Sequence, residues 1–66
     1  MMTESITDHV YDAVVTRDGK WWMIEIPELG VITQALSEDE VEYMATDLIA
    51  TWLDVEFKTV TVNLID

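Results

Sequence analysis

The stretch DGKWWMIEIPELG, residues 18–30, contains a turn, a strand and a second turn, and it places two tryptophans side by side. Asp18-Gly19 is typical of a two-residue hairpin loop, because both residues tolerate a positive φ. Lys20 to Ile26 predicts a strand that ends at Pro27, since proline has no N–H to donate to a ladder. Neighbouring side chains of a strand point to opposite faces, so the two tryptophans belong to different surfaces.

The segments around this stretch predict a β-β-β-α-β order. Residues 9–16 and 31–36 are rich in β-branched side chains and predict strands. Ser37 and Glu40 have the spacing of a capping box at the start of an amphipathic helix. Residues 58–65 alternate apolar and polar, as a last strand does. The predicted fold class is α+β, with one helix on one face of a mostly antiparallel sheet. The helix stripe expected to face the sheet is Val41, Met44, Ala45, Leu48, Ile49, Trp52 and Leu53.

The length of the chain predicts one small domain. We expect residues 1–8 to form a flexible tail and residues 9–66 a single domain. A chain of 66 residues buries only about 60% of its unfolded surface. It contains no cysteine that could form a disulfide, so a homodimer or a bound partner is expected to add buried area. No targeting segment or membrane span is seen, and cytoplasm is the expected location.

The charge is strongly acidic. Fourteen Asp and Glu residues stand against three Lys and Arg, a formal net charge of −11. This balance argues against direct binding to nucleic acid or to an anionic membrane, because both would repel the chain. It suits a basic protein partner, and it also suits a plain role of the charge in solubility.

The hairpin register predicts what each face carries. With Asp18-Gly19 as the loop, Arg17 faces Lys20, and Asp12 lies directly opposite Glu25. Trp22 then belongs to the core beneath the helix. The face that the helix does not cover supplies the candidate partner interface: Trp21, Met23, Val14, Asp12 and Glu25. A secondary candidate interface is the outward side of the helix, with Glu42 and Asp47.

The residues of this chain do not suggest an enzyme. His9 is the only histidine and has no cysteine or suitably placed serine with which to form a triad. Two glycines cannot make a phosphate-binding loop. We therefore expect no catalytic residues, no cofactor and no metal site. A divalent ion held by Asp12 and Glu25 ranks last among the hypotheses.

The order of the motifs resembles that of the HicB-like antitoxin family. In that family an early strand tyrosine leads to a hairpin, a P-D/E-L turn, a T-x-A/G strand and an amphipathic helix. The likeness extends from about Tyr11 to Leu53. The sequence departs from the family in lacking a proline-glycine pair after Leu29, and no DNA-binding segment is seen before Asp66. The matching residues are Tyr11, Asp18, Gly19, Trp22, Ile24, Pro27, Glu28, Leu29, Gly30, Thr33, Gln34, Ala35, Ser37, Glu40, Leu48, Trp52 and Leu53.

The resemblance implies a partial ribonuclease H-like fold that lacks the catalytic acids. It also implies a partner, a small basic RNA-cleaving toxin of the HicA type. On this basis we expect a non-enzymatic antitoxin that neutralises such a toxin by masking it. The alternative is an orphan acidic protein, phage-encoded or directed at a host, that binds a host protein or mimics nucleic acid.

Overall fold

A computed structural model describes residues 9–66. The predicted flexible tail, residues 1–8, lies outside this part of the chain. The described residues form the predicted β-β-β-α-β order, which confirms the α+β class. Two short 3₁₀ turns, Glu38–Glu40 and Phe57–Thr59, flank the helix. The elements are β1 (Val10–Asp18), β2 (Trp21–Ile26), β3 (Val31–Ala35), α1 (Val41–Leu53) and β4 (Thr61–Ile65).

The four strands lie in the order β3-β2-β1-β4. Both β1–β2 and β2–β3 are antiparallel, whereas β4 runs parallel to β1 at the opposite edge from β3. A parallel pair needs a long crossover, and here the connection from β3 to β4 contains α1. The helix therefore crosses one face of the sheet from edge to edge. The other face has no helix in the described part of the chain.

The hairpin between β1 and β2 has a different register from the predicted one. Its loop is Gly19-Lys20, and Asp18 pairs with Trp21, so the predicted pairs are shifted by two residues. Gly19 has φ 65° at the first loop position, where a type II′ turn needs glycine. A loop of Asp18-Gly19 would have required a positive φ at Asp18 as well. Arg17 consequently pairs with Trp22, and its guanidinium lies 4.4 Å from the centroid of that ring.

The assignment of side chains to the two faces is unchanged by this two-residue shift in register, because side chains alternate between the faces with a period of two. On the helix-covered face Ala13, Ile24 and Ile26 are fully buried. Trp22 lies on this face as predicted, but it is half-buried and packs against the edge of the core. The buried core is Ala13, Val15, Ile24, Ile26, Ala35, Val41, Ala45 and Ile49.

The buried side of α1 differs in part from the predicted stripe. Val41, Ala45 and Ile49 are buried as expected, but Trp52, in the last turn, is 60% exposed. The buried side is turned instead toward Thr46 and Ala50. Thr46 satisfies its hydroxyl by donating to the Glu42 carbonyl at 2.8 Å. Leu53 is also exposed, while Met44 and Leu48 are half-buried.

The capping box predicted at Ser37 and Glu40 does not form. Ser37 is extended, with φ −136° and ψ 153°, but its side chain makes no capping hydrogen bond. The Glu40 N–H donates to the Ser37 backbone carbonyl at 3.1 Å and closes a 3₁₀ turn instead. A backbone acceptor thus takes the place of the expected hydroxyl, and α1 begins only at Val41.

The C-terminal end of α1 has an unusual residue in the left-handed conformation. Asp54 has φ 59° and ψ 49°, while its N–H and that of Val55 reach back to the last carbonyls of the helix. A side chain with a Cβ is strained there, and a carboxylate at a helix C-terminus opposes the helix dipole. Both the backbone strain and the unfavourable charge are removed by glycine at this position.

We expect Asp54→Gly to raise the free energy of unfolding by about 0.5–1 kcal/mol. Urea unfolding followed by far-ultraviolet circular dichroism measures the change. Asp54→Ala is the matched control, since it removes the same carboxylate but keeps the Cβ, and it should be less stable than Asp54→Gly. A glycine variant no more stable than the parent would show that the helix end is not strained.

Candidate partner interface on the open face of the sheet

The candidate interface is the side of the sheet that α1 does not cover, here called the open face. Alternation along each strand assigns its members, because their neighbours in sequence point into the core. The open face consists of Val10, Asp12, Val14, Thr16 and Asp18 from β1, Trp21, Met23 and Glu25 from β2, Ile32 and Gln34 from β3, and Thr61, Asn63 and Ile65 from β4.

The apolar part of the open face crosses all four strands. Val14 pairs with Ile65 on one side and with Glu25 on the other, and Glu25 in turn pairs with Ile32. Ile32 is 58% exposed and Ile65 38%. The predicted members Val14, Trp21 and Met23 are each half-buried. We call these five residues the apolar strip: Val14, Trp21, Met23, Ile32 and Ile65.

Ile32 and Ile65 are absent from the interface predicted from sequence. Alternation along the strands indicates the face of both residues. Ile32 points to the opposite face from Val31 and Thr33, and Ile65 points to the same face as Asn63. Placing them in one row with Val14 across the sheet requires knowing which strands are neighbours. Only the observed strand order supplies that.

The prediction that Asp12 lies directly opposite Glu25 is wrong. In the observed register Glu25 lies opposite Val14, while Asp12 lies beside Asn63 of β4. The Asn63 side-chain amide donates to the Asp12 carboxylate at 3.3 Å. This arrangement relieves the cross-strand repulsion that two opposed carboxylates would suffer. It also removes the paired geometry on which a divalent-ion site at these residues depended.

The charge of the open face has one sign. Asp12, Asp18 and Glu25 supply three carboxylates, and none of the three Lys and Arg residues of the chain lies on this face. Arg17 is on the helix-covered face over Trp22. Lys20 is in the hairpin loop, and Lys58 lies 3.7 Å from Glu56 after the helix. An apolar strip whose only charged neighbours on this face are acids is therefore presented to any partner.

The secondary candidates, Glu42 and Asp47, are both exposed on α1. They are five positions apart, which separates them by about 140° around the helix, so they do not form one patch. Glu42 instead borders a shallow groove of about 280 Å³ with Asp39, Tyr43, Thr46 and Phe57. The rings of Tyr43 and Phe57 lie 5.2 Å apart in this groove.

The single histidine, His9, contacts Glu28 and Tyr11 at the surface. Its Nε2 lies within 3.0 Å of both carboxylate oxygens of Glu28. Its ring packs edge-on against the Tyr11 ring, with 4.3 Å between the two ring centroids. His9 and Glu28 are about half exposed, and such pairs contribute little to stability. Among residues 9–66, no group of three or more His, Cys, Asp and Glu side chains is arranged to hold a metal ion.

Comparisons of this chain with protein-family models, with curated proteins and with solved structures yield no match. Within residues 9–66, no helix is long and apolar enough to cross a membrane.

The two tryptophans should respond differently to truncation. We expect Trp22→Ala to lower the free energy of unfolding by about 2–4 kcal/mol, because it removes contacts with the core and the support for Arg17. Trp21→Ala should cost only about 1 kcal/mol, since Trp21 is not among the side chains that pack against the core. Urea unfolding followed by circular dichroism compares them. Equal losses would mean that the two faces are not distinguished as described.

Proposed function

We propose that this chain is a non-enzymatic, antitoxin-type protein of the cytoplasm that binds and masks a small basic protein. The observation that carries the proposal is the open face, where an apolar strip lies among three carboxylates and no cation. The partner that fits best is a small RNA-cleaving toxin of the HicA type.

The two parts of the open face would contribute in different ways. Trp21 and Met23 belong to the residue types enriched at binding interfaces, and large apolar side chains of this kind supply affinity. Asp12, Asp18 and Glu25 would raise the association rate with a basic surface and set the orientation. Binding would exclude RNA, because a protein that cleaves RNA needs its cationic surface for the phosphates.

The resemblance to HicB-like antitoxins supports the choice of partner class. One departure from the family pattern, the missing proline-glycine pair after Leu29, falls in a turn that is closed without it. The N–H groups of Leu29 and Gly30 both donate to the Ile26 carbonyl, at 3.0 Å and 2.9 Å. Gly30 has φ 68°, which suits glycine at the end of such a turn.

Masking rather than catalysis is proposed because the acidic residues are not arranged as a reacting pair. Asp12 and Glu25 lie opposite different partners, and Asp12 accepts a hydrogen bond from Asn63. Acid–base catalysis requires two groups whose environments set them to different tasks. Exposed carboxylates around an apolar strip are better suited to binding.

A pair of charge reversals with a matched control tests the proposed face. We expect a short basic protein to be encoded beside the gene for this chain, and that protein is the partner used. We expect Asp12→Lys with Glu25→Lys to weaken binding at least about tenfold, through lost attraction and new repulsion. Glu42→Lys with Asp47→Lys changes the net charge equally on the helix side and should have a much smaller effect. Titration calorimetry measures both.

Co-expression tests the proposed outcome of binding. Growth of a bacterial host should stop when the basic protein is expressed alone and resume when this chain is co-expressed. Rescue should fail with the open-face double variant and persist with the helix-side one. A neighbour that is harmless, or rescue that ignores both variants, would contradict the antitoxin proposal. Binding to a host DNA-binding protein instead would favour the nucleic-acid mimic.

The salt dependence of association gives an independent check. Binding to a basic partner should slow as NaCl is raised from about 0.05 to about 0.5 M, because the attraction between exposed charges is screened. Stopped-flow tryptophan fluorescence measures the association rate. A rate that is indifferent to salt would remove the electrostatic part of the proposal.

A further inference from the structure

The two edge strands are uncharged in an otherwise acidic chain. Of the fourteen acidic residues, none lies in β3, with sequence VITQA, or in β4, with sequence TVNLI. The central strands do carry acids, at Asp12, Asp18 and Glu25. Soluble proteins usually protect sheet edges with charged side chains or proline, because an unpaired edge is a template for another strand. Neither edge of this sheet has that protection.

We propose that β4 pairs antiparallel with β4 of a second copy of this chain. The dimer expected from the size of the chain would form at this edge, whether or not the chain masks a toxin. Within residues 9–66, β4 has a strand neighbour only on its β1 side. In this part of the chain its outer edge is unpaired, and the second copy would pair there.

The charges that flank each edge strand favour β4 over β3. An antiparallel pair of β3 strands centred on Thr33 would bring Glu28 of one copy to Glu38 of the other, and like charges at that spacing repel. The strand β4 instead lies between Lys58 and Asp66. Antiparallel pairing sets the Lys58 end of one copy beside the Asp66 end of the other. The Lys58–Glu56 contact is exposed and long at 3.7 Å, so Lys58 can reorient at little cost.

The side chains of β4 fit this pairing on both faces. Centring the pair on Asn63, the middle residue of the strand, places Val62 opposite Leu64 of the second copy. Leu64 is 44% exposed in the single chain and would be covered. On the open face, Ile65 would contact Thr61 of the second copy. Asn63 would lie opposite itself on the two-fold axis.

The pairing would produce one continuous eight-stranded sheet. Because the two-fold axis is perpendicular to the sheet, both helices would lie on the same face. The two open faces would join along β4, where each copy contributes Ile65 to the apolar strip. The dimer would thus present twice the binding surface of a single copy, with the acids of the central strands on both sides of the join.

Asn63→Lys tests the β4 edge without weakening the single chain. The lysine would face the Asp12 carboxylate within its own copy, where Asn63 already donates a hydrogen bond. Across the two-fold axis it would face a second lysine, and such a pair should raise the dimer dissociation constant about fivefold. Gln34→Lys is the matched control, since it adds the same charge to an exposed position on the β3 edge and should leave the constant nearly unchanged.

Sedimentation velocity over a wide range of protein concentration measures the dissociation constants of the parent chain and both variants. The parent should dimerise, and added NaCl should strengthen the dimer, because it screens the repulsion between two copies of charge −11. This salt effect is opposite in sign to that expected for a basic partner, so the two proposals can fail separately.

Three outcomes would overturn the inference. The first is a parent chain that remains monomeric at every concentration and salt level. The second is a dimer weakened by Gln34→Lys but not by Asn63→Lys, which would place the contact at β3. The third is a dimer that neither variant weakens but Met23→Lys abolishes, which would place the contact on the open face.

Discussion

The crossover from β3 to β4 is the constraint from which the other features of this structure follow. A single helix of thirteen residues must connect one edge of a four-stranded sheet to the other. In doing so it covers one face, and no other helix of residues 9–66 covers the opposite one. The core therefore lies on one side, built from small and β-branched residues such as Ala13, Ile24 and Ala45. The open face carries the five residues of the apolar strip.

The same constraint separates the two ways in which this chain can gain buried surface. A partner placed on the open face would cover Trp21, Met23 and the neighbouring apolar residues. A strand added at the β4 edge would cover Leu64 and satisfy unpaired backbone groups. The two modes use different atoms and opposite electrostatics, since a basic partner is attracted by the acids that repel a second copy. They are compatible in one assembly, because edge pairing leaves the open face uncovered.

Much of the fold could be predicted because local patterns report local geometry. The alternation in residues 58–65 and the helical spacing after Ser37 identified the elements, and the parity of Trp21 and Trp22 assigned them to opposite faces. The register could not be predicted with the same success. Gly19 can supply the positive φ of a loop formed with Asp18 or with Lys20, and the local sequence favours the first. The observed choice places Arg17 over Trp22, a contact between two strands that a local pattern does not show.

The candidate site was predicted in outline and corrected in detail for the same reason. Val14, Trp21 and Met23 were assigned to the open face by parity, and a shift of two residues leaves parity unchanged. The opposition of Asp12 and Glu25 depended on register and was wrong. The burial of Trp52 depended on which side of α1 faces the sheet, and it too was wrong, because the buried side includes Thr46 and Ala50 instead.

The sequence by itself determined the α+β order of elements, the face to which each strand residue belongs and the strongly acidic charge. These properties depend on spacing along one chain and on composition. The tertiary structure alone decided the loop residues of the hairpin, the partner of Asp12, the exposed end of the helix and the position of β4 at an edge beside β1. Each of these is set by contacts between residues distant in sequence, such as the 3.3 Å hydrogen bond from Asn63 to Asp12. Such contacts form only when the strands have taken their places, so the periodicity of a single strand does not encode them.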